Sequence, residues 1–600
     1  MPTRRLLLLG CSLALLLAAR VAPAQSEDEL LRGLNTTAEV SWRAAAFAND
    51  PAYLRILAIN DLHGALLPQE VEFADGRQRR VGGAAVLASF INAERAAYPK
   101  QSLLLIAGDS IGASPGISGL LRDEPTMAVL NQLAEGECPL LSRDWSTRPA
   151  PVVSTCHVLA TVGNHEFDNG SAELERLLYG GRHPGGPLLG ADWKGTRIPF
   201  LAANVQRRDG HQPFLPASAI VVLDGARIGI IGAVTADTPG MEIGSKIADL
   251  EFLPEAAAIN AEVARLHALK VRTIVLLIHE GLTAPVKPQR LAPVSIEDLS
   301  GGLARVLRGL TGGIDIVIAG HTHKLNNVLV PLADHHLALV VQAESRGQAF
   351  SSIDVTIDKS TDTVVEMSAR VRIPWADGGP GTTPDKHVAK IVAAASKAVQ
   401  PIVARPIGTA VTAMALPNAP CAESALADLV VDAERSVAAT DMAFMNIGGI
   451  RAPIAAGAVT FGTIYSVHPF GNQIVRLALS GAQVLKLLEE QWYGEHEAQP
   501  LCLAASGLRY VYDLRRAPGH RVLAAWDADN HPLDPAAHYR IASNDYLAGG
   551  GDHFPELENP PDVEVVTGIR EALEAWFKRA PDGVGASVDG RMERVDVPAP

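Results

Sequence analysis

The strongest constraint on this chain is a series of short aliphatic runs, each followed directly by polar residues. The runs are rich in Ile, Val and Leu without strict alternation, which is typical of strands buried on both faces of a sheet. Helical patterns separate them, and such alternation predicts an α/β fold. The runs span residues 53–60, 102–108, 158–163, 271–278 and 314–319.

The polar residues after these runs are of types that bind metal ions. Residues two apart on a strand point to the same side, so an Asp-x-His or His-x-His pair can aim two donors at one spot. Because ligand sites in open α/β sheets form beyond the carboxyl ends of strands, we expect all these groups to meet at one edge. Imidazole, carboxylate and amide donors without a thiol suit zinc, manganese or a similar divalent ion. The residues are Asp61, His63, Asp109, Asn164, His165, Asp168, His279, His321 and His323.

The composition is that of a large protein with enough apolar material for several buried cores. Its 600 residues predict two to four domains, and 48% of them are hydrophobic. The formal net charge is −14, and no long run of Lys or Arg occurs. A nucleic-acid polymer bound through its phosphates is therefore not the expected partner. A coiled coil and a multi-span membrane protein are excluded as well.

The first residues predict a secretory signal peptide over residues 1–24. Two arginines precede an apolar stretch, and small residues then favour cleavage after Ala24. The stretch is shorter than the roughly 20 residues that span a bilayer, so we expect no membrane span after cleavage. The expected location is the periplasm or the exterior of the cell. Lipoprotein cleavage at Cys11 and a twin-arginine signal are the alternatives.

Four cysteines follow the predicted cleavage point, and an even number in an oxidising compartment favours disulfides. We predict that Cys138 pairs with Cys156, and Cys421 with Cys502, because each bridge would then lie within one domain. A buried free thiol at Cys421 is the open alternative. No Cys-x-x-Cys motif occurs, so a zinc-thiolate site is not expected.

A segment rich in Gly and Pro divides the chain. Residues 374–381 cannot form regular structure and predict a linker, while residues 384–404 predict one helix, a candidate hinge. We therefore expect a first domain over residues 50–373, a linker and hinge helix over 374–404, and a second α/β domain over 405–592.

The order and spacing of the first domain's polar residues resemble those of the calcineurin-like dinuclear metallophosphoesterases. The resemblance implies a four-layer α/β/β/α sandwich. It also implies two divalent metal ions, with zinc favoured and manganese, cobalt or magnesium as alternatives. Two such ions clamp a phosphoryl group and activate water. One ion would be held by Asp61, His63, Asp109 and His323, and the other by Asp109, Asn164, His279 and His321, with Asp109 bridging.

The same resemblance gives His165 a role other than metal binding. It implies that His165 stabilises charge in the transition state and is held by Asp168, in keeping with the way a His–Asp pair fixes tautomer and protonation. The alternative role for Asp168 is the N-cap of a helix that begins near Ser171.

The second domain carries three segments that predict a ligand pocket. Their glycines permit close backbone approach, an arginine can fork onto phosphate, and two aromatic rings could sandwich a base. The segments are residues 446–451, 468–472 and 543–552.

Together these segments resemble the C-terminal domain of the secreted and cell-surface 5′-nucleotidases, a family that includes periplasmic UDP-sugar hydrolases. The resemblance implies that Phe470 and Tyr546 stack the nucleobase. It further implies that Arg451 contacts phosphate, Asn446 lines the pocket and Asp552 binds the ribose hydroxyls. One position departs from the pattern: Ala422 stands where the family usually has a phosphate-binding arginine.

The sequence therefore predicts an extracytoplasmic, metal-dependent phosphohydrolase that converts 5′-nucleotides to nucleoside and phosphate. A 2′,3′-cyclic nucleotide phosphodiesterase with 3′-nucleotidase activity is one alternative, which Asp168 disfavours because that branch typically has asparagine there. A UDP-sugar hydrolase is another, and a hydrolase of sulfur–sulfonate conjugates shares the two-domain plan. A non-catalytic nucleotide-binding surface protein is the alternative from a different class, and the complete set of metal-ligand types argues against it.

Overall fold

The computed structural model describes residues 39–44, 49–73, 76–134, 138–284, 293–416, 421–497 and 500–596. The predicted signal peptide over residues 1–24 lies outside these ranges. Within them, no helix combines the length and the apolar character that crossing a bilayer requires.

The described residues of the first domain form eighteen strands. They are β1 (Glu39–Arg43), β2 (Pro51–Ile59), β3 (Gln69–Glu72), β4 (Gln78–Val81), β5 (Ser102–Ala107), β6 (Val152–Ser154), β7 (Val158–Thr161), β8 (Phe200–Leu201), β9 (Val205–Arg207), β10 (Ser218–Leu223), β11 (Ala226–Val234), β12 (Leu250–Phe252), β13 (Thr273–His279), β14 (Ile316–Ile318), β15 (Leu325–Pro331), β16 (Leu337–Ala343), β17 (Phe350–Asp358) and β18 (Thr363–Arg372).

Two seven-stranded sheets dominate this domain. The first has the order β1-β18-β17-β2-β5-β7-β8, and the second has the order β15-β16-β14-β13-β11-β10-β6. Their inner faces share one large apolar core. The helices around them are α1 (Ala84–Ala97), α2 (Gly116–Gly119), α3 (Glu124–Leu133), α4 (Ser171–Tyr179), α5 (Thr238–Met241), α6 (Glu255–Ala268) and α7 (Gly302–Gly309).

Helices cover the outer face of each sheet. Helices α1, α3 and α4 contribute to the core beneath the first sheet, whereas α6 and α7 pack against the second sheet in a separate apolar cluster. The layers therefore run helix, sheet, sheet, helix. This arrangement confirms the predicted α/β class and its four-layer form.

Parallel strands bring the predicted runs to one edge. Strands β2, β5 and β7 are parallel in the first sheet, as are β11, β13, β14 and β16 in the second. The five aliphatic runs form β2, β5, β7, β13 and β14, and their carboxyl ends meet between the sheets. A hydrogen bond joins the end of β5 to the end of β13, because His279 Nδ1 lies 2.8 Å from the Ala107 carbonyl oxygen.

A long helix follows the first domain. This helix, α8 (Lys386–Val403), begins after Asp385, whose side chain accepts hydrogen bonds from the backbone N–H groups of His387 and Val388. It packs against α1 and α3 of the first domain and also against the helix Phe461–Val467 of the second. A helix over residues 384–404 was predicted, and its use as a hinge stays a prediction.

The described residues of the second domain form ten strands, five of which make up its main sheet. The ten strands of the domain are β19 (Pro406–Ala410), β20 (Met442–Asn446), β21 (Gly457–Thr460), β22 (Gln473–Ser480), β23 (Leu503–Ser506), β24 (Leu508–Tyr512), β25 (Val522–Asp527), β26 (His538–Asn544), β27 (Glu564–Gly568) and β28 (Met592–Arg594). Its helices are α9 (Ala425–Ala438), α10 (Phe461–Val467), α11 (Gly481–Glu490), α12 (Asp545–Ala548) and α13 (Ile569–Lys578).

The sheet order is β23-β20-β26-β22-β27, with apolar clusters on both faces. Helices α9 and α13 bury residues on one side and α11 on the other. The first two segments predicted to bind ligand begin at the end of β20 and directly after α10, and the third begins with the last two residues of β26.

Both predicted disulfides are present. Cys138 is bonded to Cys156, and Cys421 is bonded to Cys502. The structure therefore excludes the free thiol at Cys421, and each bridge lies within one domain as expected.

The second domain buries a carboxyl group at Glu434 on α9. The residue is fully buried, and neither of its carboxyl oxygens has a hydrogen-bond partner among the described residues. Burial raises the pKa of Glu434 to about 8. Folding therefore favours the protonated form, and the contribution to stability is lost as the pH rises from about 4.5 to about 8.

We predict that Glu434→Gln abolishes the loss of stability that ionisation of Glu434 causes as the pH rises. The stability difference between the variant and the native protein should grow by about 1.4 kcal/mol per pH unit across that window and then level off. Thermal unfolding at pH 5, 6.5 and 8 measures it, with the exposed Glu497→Gln as the control. A stability difference that is independent of pH would contradict the prediction.

Candidate active site

Asp109 lies at the centre of the polar edge between the sheets. It is 1% exposed, and its Oδ2 is 3.0 Å from His279 Nε2 and 3.7 Å from His63 Nε2. Its Oδ1 accepts a hydrogen bond from the His165 backbone N–H at 3.0 Å. One carboxylate therefore faces imidazoles on two sides, as a bridging ligand would.

Two groups of side chains at this edge could each bind a metal ion, and Asp109 belongs to one of them. Potential ligand atoms in each group lie within 4.8 Å of one another. Asn164 joins the second group, because its Oδ1 is 3.1 Å from His321 Nδ1. The groups consist of Asp61, His63 and His323, and of Asp109, His279 and His321.

Backbone carbonyl groups orient two of the imidazole rings. His63 Nδ1 is 3.0 Å from the Gly112 oxygen, and His279 Nδ1 is 2.8 Å from the Ala107 oxygen. Each Nδ1–H therefore donates to a carbonyl, which leaves Nε2 as the free lone pair. The Nε2 atom of His279 is buried 3.0 Å from Asp109 Oδ2, without a well-aligned hydrogen bond to any described residue. A buried ring nitrogen that faces a carboxylate in this way is suited to be a ligand of a divalent metal ion.

Glycines make room for these donors. A Cβ atom at Gly163 would lie 2.1 Å from Asp109 Oδ1, and one at Gly320 would lie 2.8 Å from His279 Nδ1. At Gly108, whose φ is +77°, a Cβ would lie 2.7 Å from His279 Nδ1. Side chains at these positions would displace the clustered carboxylate and imidazole groups.

The electrostatics of the cluster follow from its burial. Burial lowers the pKa of His321 to about 4, and it lowers the pKa of His63 well below its usual range. Burial acts the same way on His279, but the adjacent charge of Asp109 outweighs it and raises that pKa to about 10. Burial opposes ionisation of Asp109, yet His279 and His165 hold its pKa well below the usual range. Asp109 is thus ionised and His63 and His321 are neutral, the forms in which these groups bind metals, whereas His279 would release a proton on binding one.

The paired Asp-x-His and His-x-His residues lie beyond the strands rather than on them. Strands β2 and β14 end before these residues. The φ angles of Asp61 and His63 are 50° and 46°, and those of His321 and His323 are 74° and 53°. Alternation along a strand was therefore the wrong explanation for their convergence. Left-handed backbone at both members of each pair brings the side chains together.

His165 and Asp168 form the predicted pair. His165 Nδ1 is 2.7 Å from Asp168 Oδ1, and Asp168 Oδ2 accepts a hydrogen bond from the Ala113 backbone N–H at 2.8 Å. Asp168 does not cap the next helix, because the N-cap of α4 is Gly170. Burial lowers the pKa of His165, but the charges of Asp168 and Asp109 outweigh it and raise the pKa above the usual value.

The second domain places two of its predicted residues beside this pair. The Phe470 ring is stacked on the His165 ring, with centroids 6.0 Å apart and an interplanar angle of 22°. The Arg451 guanidinium is 6.0 Å from the centre of the Phe470 ring. Arg451 forms no ion pair within the described part of the chain, and its Nε is buried without a partner there.

The other three predicted residues form a second cluster. Asn446 Nδ2 donates to Asp552 Oδ2 at 2.9 Å, and the Tyr546 hydroxyl donates to Asp552 Oδ1 at 2.7 Å. Gly551 permits this, because a Cβ there would lie 2.4 Å from the Tyr546 ring. Phe470 stacks on His165 rather than on Tyr546, so the predicted two-ring sandwich stays a prediction.

Three polar residues near the site did not emerge from the sequence. The Glu166 carboxylate accepts hydrogen bonds from the backbone N–H groups of Asp109 and Ser110, at 2.8 Å each. Arg346 Nη2 donates to the Arg451 carbonyl oxygen at 3.0 Å, which places a second cation beside Arg451 although Ala422 replaces the usual arginine. Glu242 lies in one group with His165 and Asp168.

A signal for two of them existed in the sequence. Arg346 follows β16 and Glu242 follows β11, and both strands are aliphatic runs that end in polar segments. Extending the rule of strand ends to these runs marks both segments, but it does not indicate which residue of each segment approaches the site.

The fold and the clustered donors are those of a metallophosphoesterase, and two family models agree. The model of the calcineurin-like phosphoesterases matches residues 54–325, and that of the 5′-nucleotidase C-terminal domain matches residues 406–559. The chain belongs to the 5′-nucleotidase-type metallophosphoesterases, because it carries both of these domains.

Two proteins of similar sequence carry names that point to different roles. The endonuclease YhcR of Bacillus subtilis is 30% identical over 552 residues, which are 90% of this chain and 41% of that protein. The cell wall protein Lmo0130 of Listeria monocytogenes is 29% identical over 590 residues, which are 92% of this chain and 69% of that protein. This chain therefore spans less than half the length of YhcR and about two thirds of Lmo0130.

One solved structure is close in fold. The 5′-nucleotidase precursor from Thermus thermophilus superposes with a TM-score of 0.72 at 26% identity. The match covers 91% of this chain and 100% of that chain. Both domains therefore share their arrangement with a protein of this family.

We predict that the purified protein binds two divalent ions per chain and that Asp109→Ala binds at least one fewer, because its carboxylate faces both groups of donors. Metal analysis after dialysis measures the stoichiometry. A surface group of Asp527, Asp529 and His531 serves as the matched control, since Asp527→Ala should leave the stoichiometry unchanged. Full metal content in Asp109→Ala would contradict the bridging role.

Proposed function

We propose that this protein hydrolyses 5′-nucleotides outside the cytoplasm and releases nucleoside and phosphate. The observation that carries the proposal is the contact of Phe470 with His165, because it brings a nucleotide-type pocket to the cluster of metal donors. A nucleotide whose base and sugar occupy the second domain would have its phosphate beside Asp109 and His165.

The first domain supplies the groups for the chemical step. The proposed ligands are Asp61, His63, Asp109 and His323 for one ion, and Asp109, Asn164, His279 and His321 for the other. Zinc is favoured by the mixed imidazole and carboxylate donors, and manganese, cobalt and magnesium are alternatives. Two bound divalent ions supply Lewis-acid stabilisation of the phosphoryl oxygens and lower the pKa of a water molecule.

His165 and Arg451 act on the substrate directly in this proposal. His165, held by Asp168 at 2.7 Å, carries a proton toward the oxygen on which charge develops. Arg451 has no ion-pair partner among the described residues, so a phosphate group would provide the counter-charge that this half-buried guanidinium lacks.

The remaining pocket residues suit a nucleoside. Asp552 holds two acceptor oxygens between Asn446 and Tyr546, and it can also accept from vicinal hydroxyl groups. A base would contact the face of Phe470 that is turned away from His165, and the ring of Tyr546 is the proposed second contact.

The location outside the cytoplasm rests on three observations. The chain begins with a segment typical of a secretory signal peptide, its structure contains two disulfides, and a relative is named a cell wall protein.

A nuclease is the second candidate function. The relative YhcR is named an endonuclease, and the same donors would suit hydrolysis of a phosphodiester. The net charge of −14 disfavours a polyanionic substrate.

We predict chelator-sensitive release of phosphate from 5′-AMP by the metal-loaded protein. The matched substrates 3′-AMP and ATP are followed by the same phosphate assay. Hydrolysis of 2′,3′-cyclic AMP, UDP-glucose and a single-stranded oligonucleotide is followed by chromatography of the products, because the first cleavage of these substrates frees no inorganic phosphate. Asp109→Ala should lose turnover by at least about a thousandfold, because the bridging carboxylate positions both ions. Activity confined to the cyclic or 3′ substrates, to UDP-glucose or to the oligonucleotide would replace the proposal with the corresponding alternative.

We predict that Phe470→Ala raises KM for 5′-AMP about tenfold and changes kcat much less, because a stacked base contributes roughly 1–3 kcal/mol. Phe470→Tyr keeps the ring face and should restore most of the affinity. Steady-state kinetics of both variants measure the split. A loss confined to kcat would show that the ring serves His165 and not the base.

A further inference from the structure

Glu242 is a buried carboxyl group that the proposed chemistry does not use. It lies directly after α5, in the segment that follows β11. The residue is 5% exposed, and its Oε1 has no hydrogen-bond partner among the described residues. A buried carboxyl oxygen without a donor is costly in the ionised state.

The nearest charged groups are those of the proposed catalytic pair. Donor or acceptor atoms of Glu242, Asp168 and His165 lie within 4.8 Å of one another. Asp168 already has one oxygen on His165 Nδ1 and the other on the Ala113 N–H, so its negative charge is well stabilised. A buried carboxyl group this close to a carboxylate, and without a donor on its own Oε1, retains its proton.

The other groups around Glu242 support the same assignment. Burial raises its pKa well above the usual range, and the charge of Asp168 adds to the shift. Asp109 acts in the same direction from farther away, and the Lys246 ammonium opposes it. Lys246 is engaged by the Asp168 backbone carbonyl. The Tyr546 hydroxyl is committed to Asp552, so it does not compensate a charge on Glu242.

We propose that Glu242 is a positioning residue that stays protonated and donates a hydrogen bond to Asp168, which holds Asp168 against His165. The inference deepens the proposed phosphoester hydrolysis and rests on it for its effect on rate. Glu242 does not touch substrate in this scheme; it acts through Asp168.

The segment that contains Glu242 also contacts the second domain. The Tyr546 hydroxyl is 3.2 Å from the Gly240 carbonyl oxygen, and a Cβ at Gly240 would lie 2.0 Å from His553 Nε2. Glu242 is thus two residues from a contact between the two domains and close to the His165–Asp168 pair.

The test compares Glu242→Gln with Glu242→Ala. An amide can donate the same hydrogen bond to Asp168, so Glu242→Gln should lower kcat by less than about threefold, whereas Glu242→Ala should lower it roughly tenfold or more with little change in KM. The substrate is p-nitrophenyl phosphate, so that a failure of nucleotide recognition does not affect the result. The exposed Glu297→Gln is the matched control.

A double-mutant cycle separates this role from simple packing. In an Asp168→Ala background, Glu242→Ala should cost less than about a further twofold, because the partner through which it acts is gone. Additive losses, or equal losses in Glu242→Gln and Glu242→Ala, would overturn the proposal.

The protonation state has a readout that does not depend on activity. Infrared difference spectra of the native protein minus Glu242→Gln should contain the C=O stretch of a protonated carboxyl group, both with and without added metal. Absence of that band would overturn the proposal even if the kinetics agreed, and its presence without phosphatase activity would mean that only the proposed function has failed.

Discussion

The carboxyl group of Glu166 holds the active edge of the first domain together. Its two oxygens accept hydrogen bonds from backbone N–H groups of Asp109, Ser110 and Gly163, which join the ends of β5 and β7. Burial, reinforced by the charge of Asp109, raises the pKa of Glu166 to about 7. These hydrogen bonds hold the loop on which Asp109 faces both groups of donors. The remaining donors are then arranged around one carboxylate whose position is set by the sheet.

The edge also depends on backbone that ordinary residues avoid. Asp61, His63, Asp109, His321 and His323 all have φ between 46° and 74°. Each such residue costs of order 1 kcal/mol or more, and the surrounding packing must supply it. The buried strands β2, β5, β13 and β14 provide that packing. The strained backbone of the polar edge therefore depends on the stability of the large apolar core.

Neither domain completes the site alone. Phe470 covers His165, Tyr546 reaches the Gly240 carbonyl, and Arg346 reaches the carbonyl of Arg451. These contacts join residues that are 105 to 306 positions apart in the chain. Burial of Arg451 lowers its pKa without removing its charge, so the interface keeps a cation for which phosphate is the natural counter-ion. In the proposed function, the second domain therefore contributes both recognition and charge to chemistry located in the first.

The sequence by itself determined the class of fold and the residue types of the site. Aliphatic runs without alternation require strands buried on both faces, and parallel strands must present their carboxyl ends together, so residues such as Asp109 and His279 were predictable. Tertiary structure decided what local pattern does not encode. The left-handed turns at Asp61 and His321, the clamp by Glu166, and the approach of Arg346 and Glu242 all arise where distant segments pack. Hydrophobic patterning specifies which face of a strand is buried, whereas the partner of a buried polar group is specified only when the sheets and domains have met.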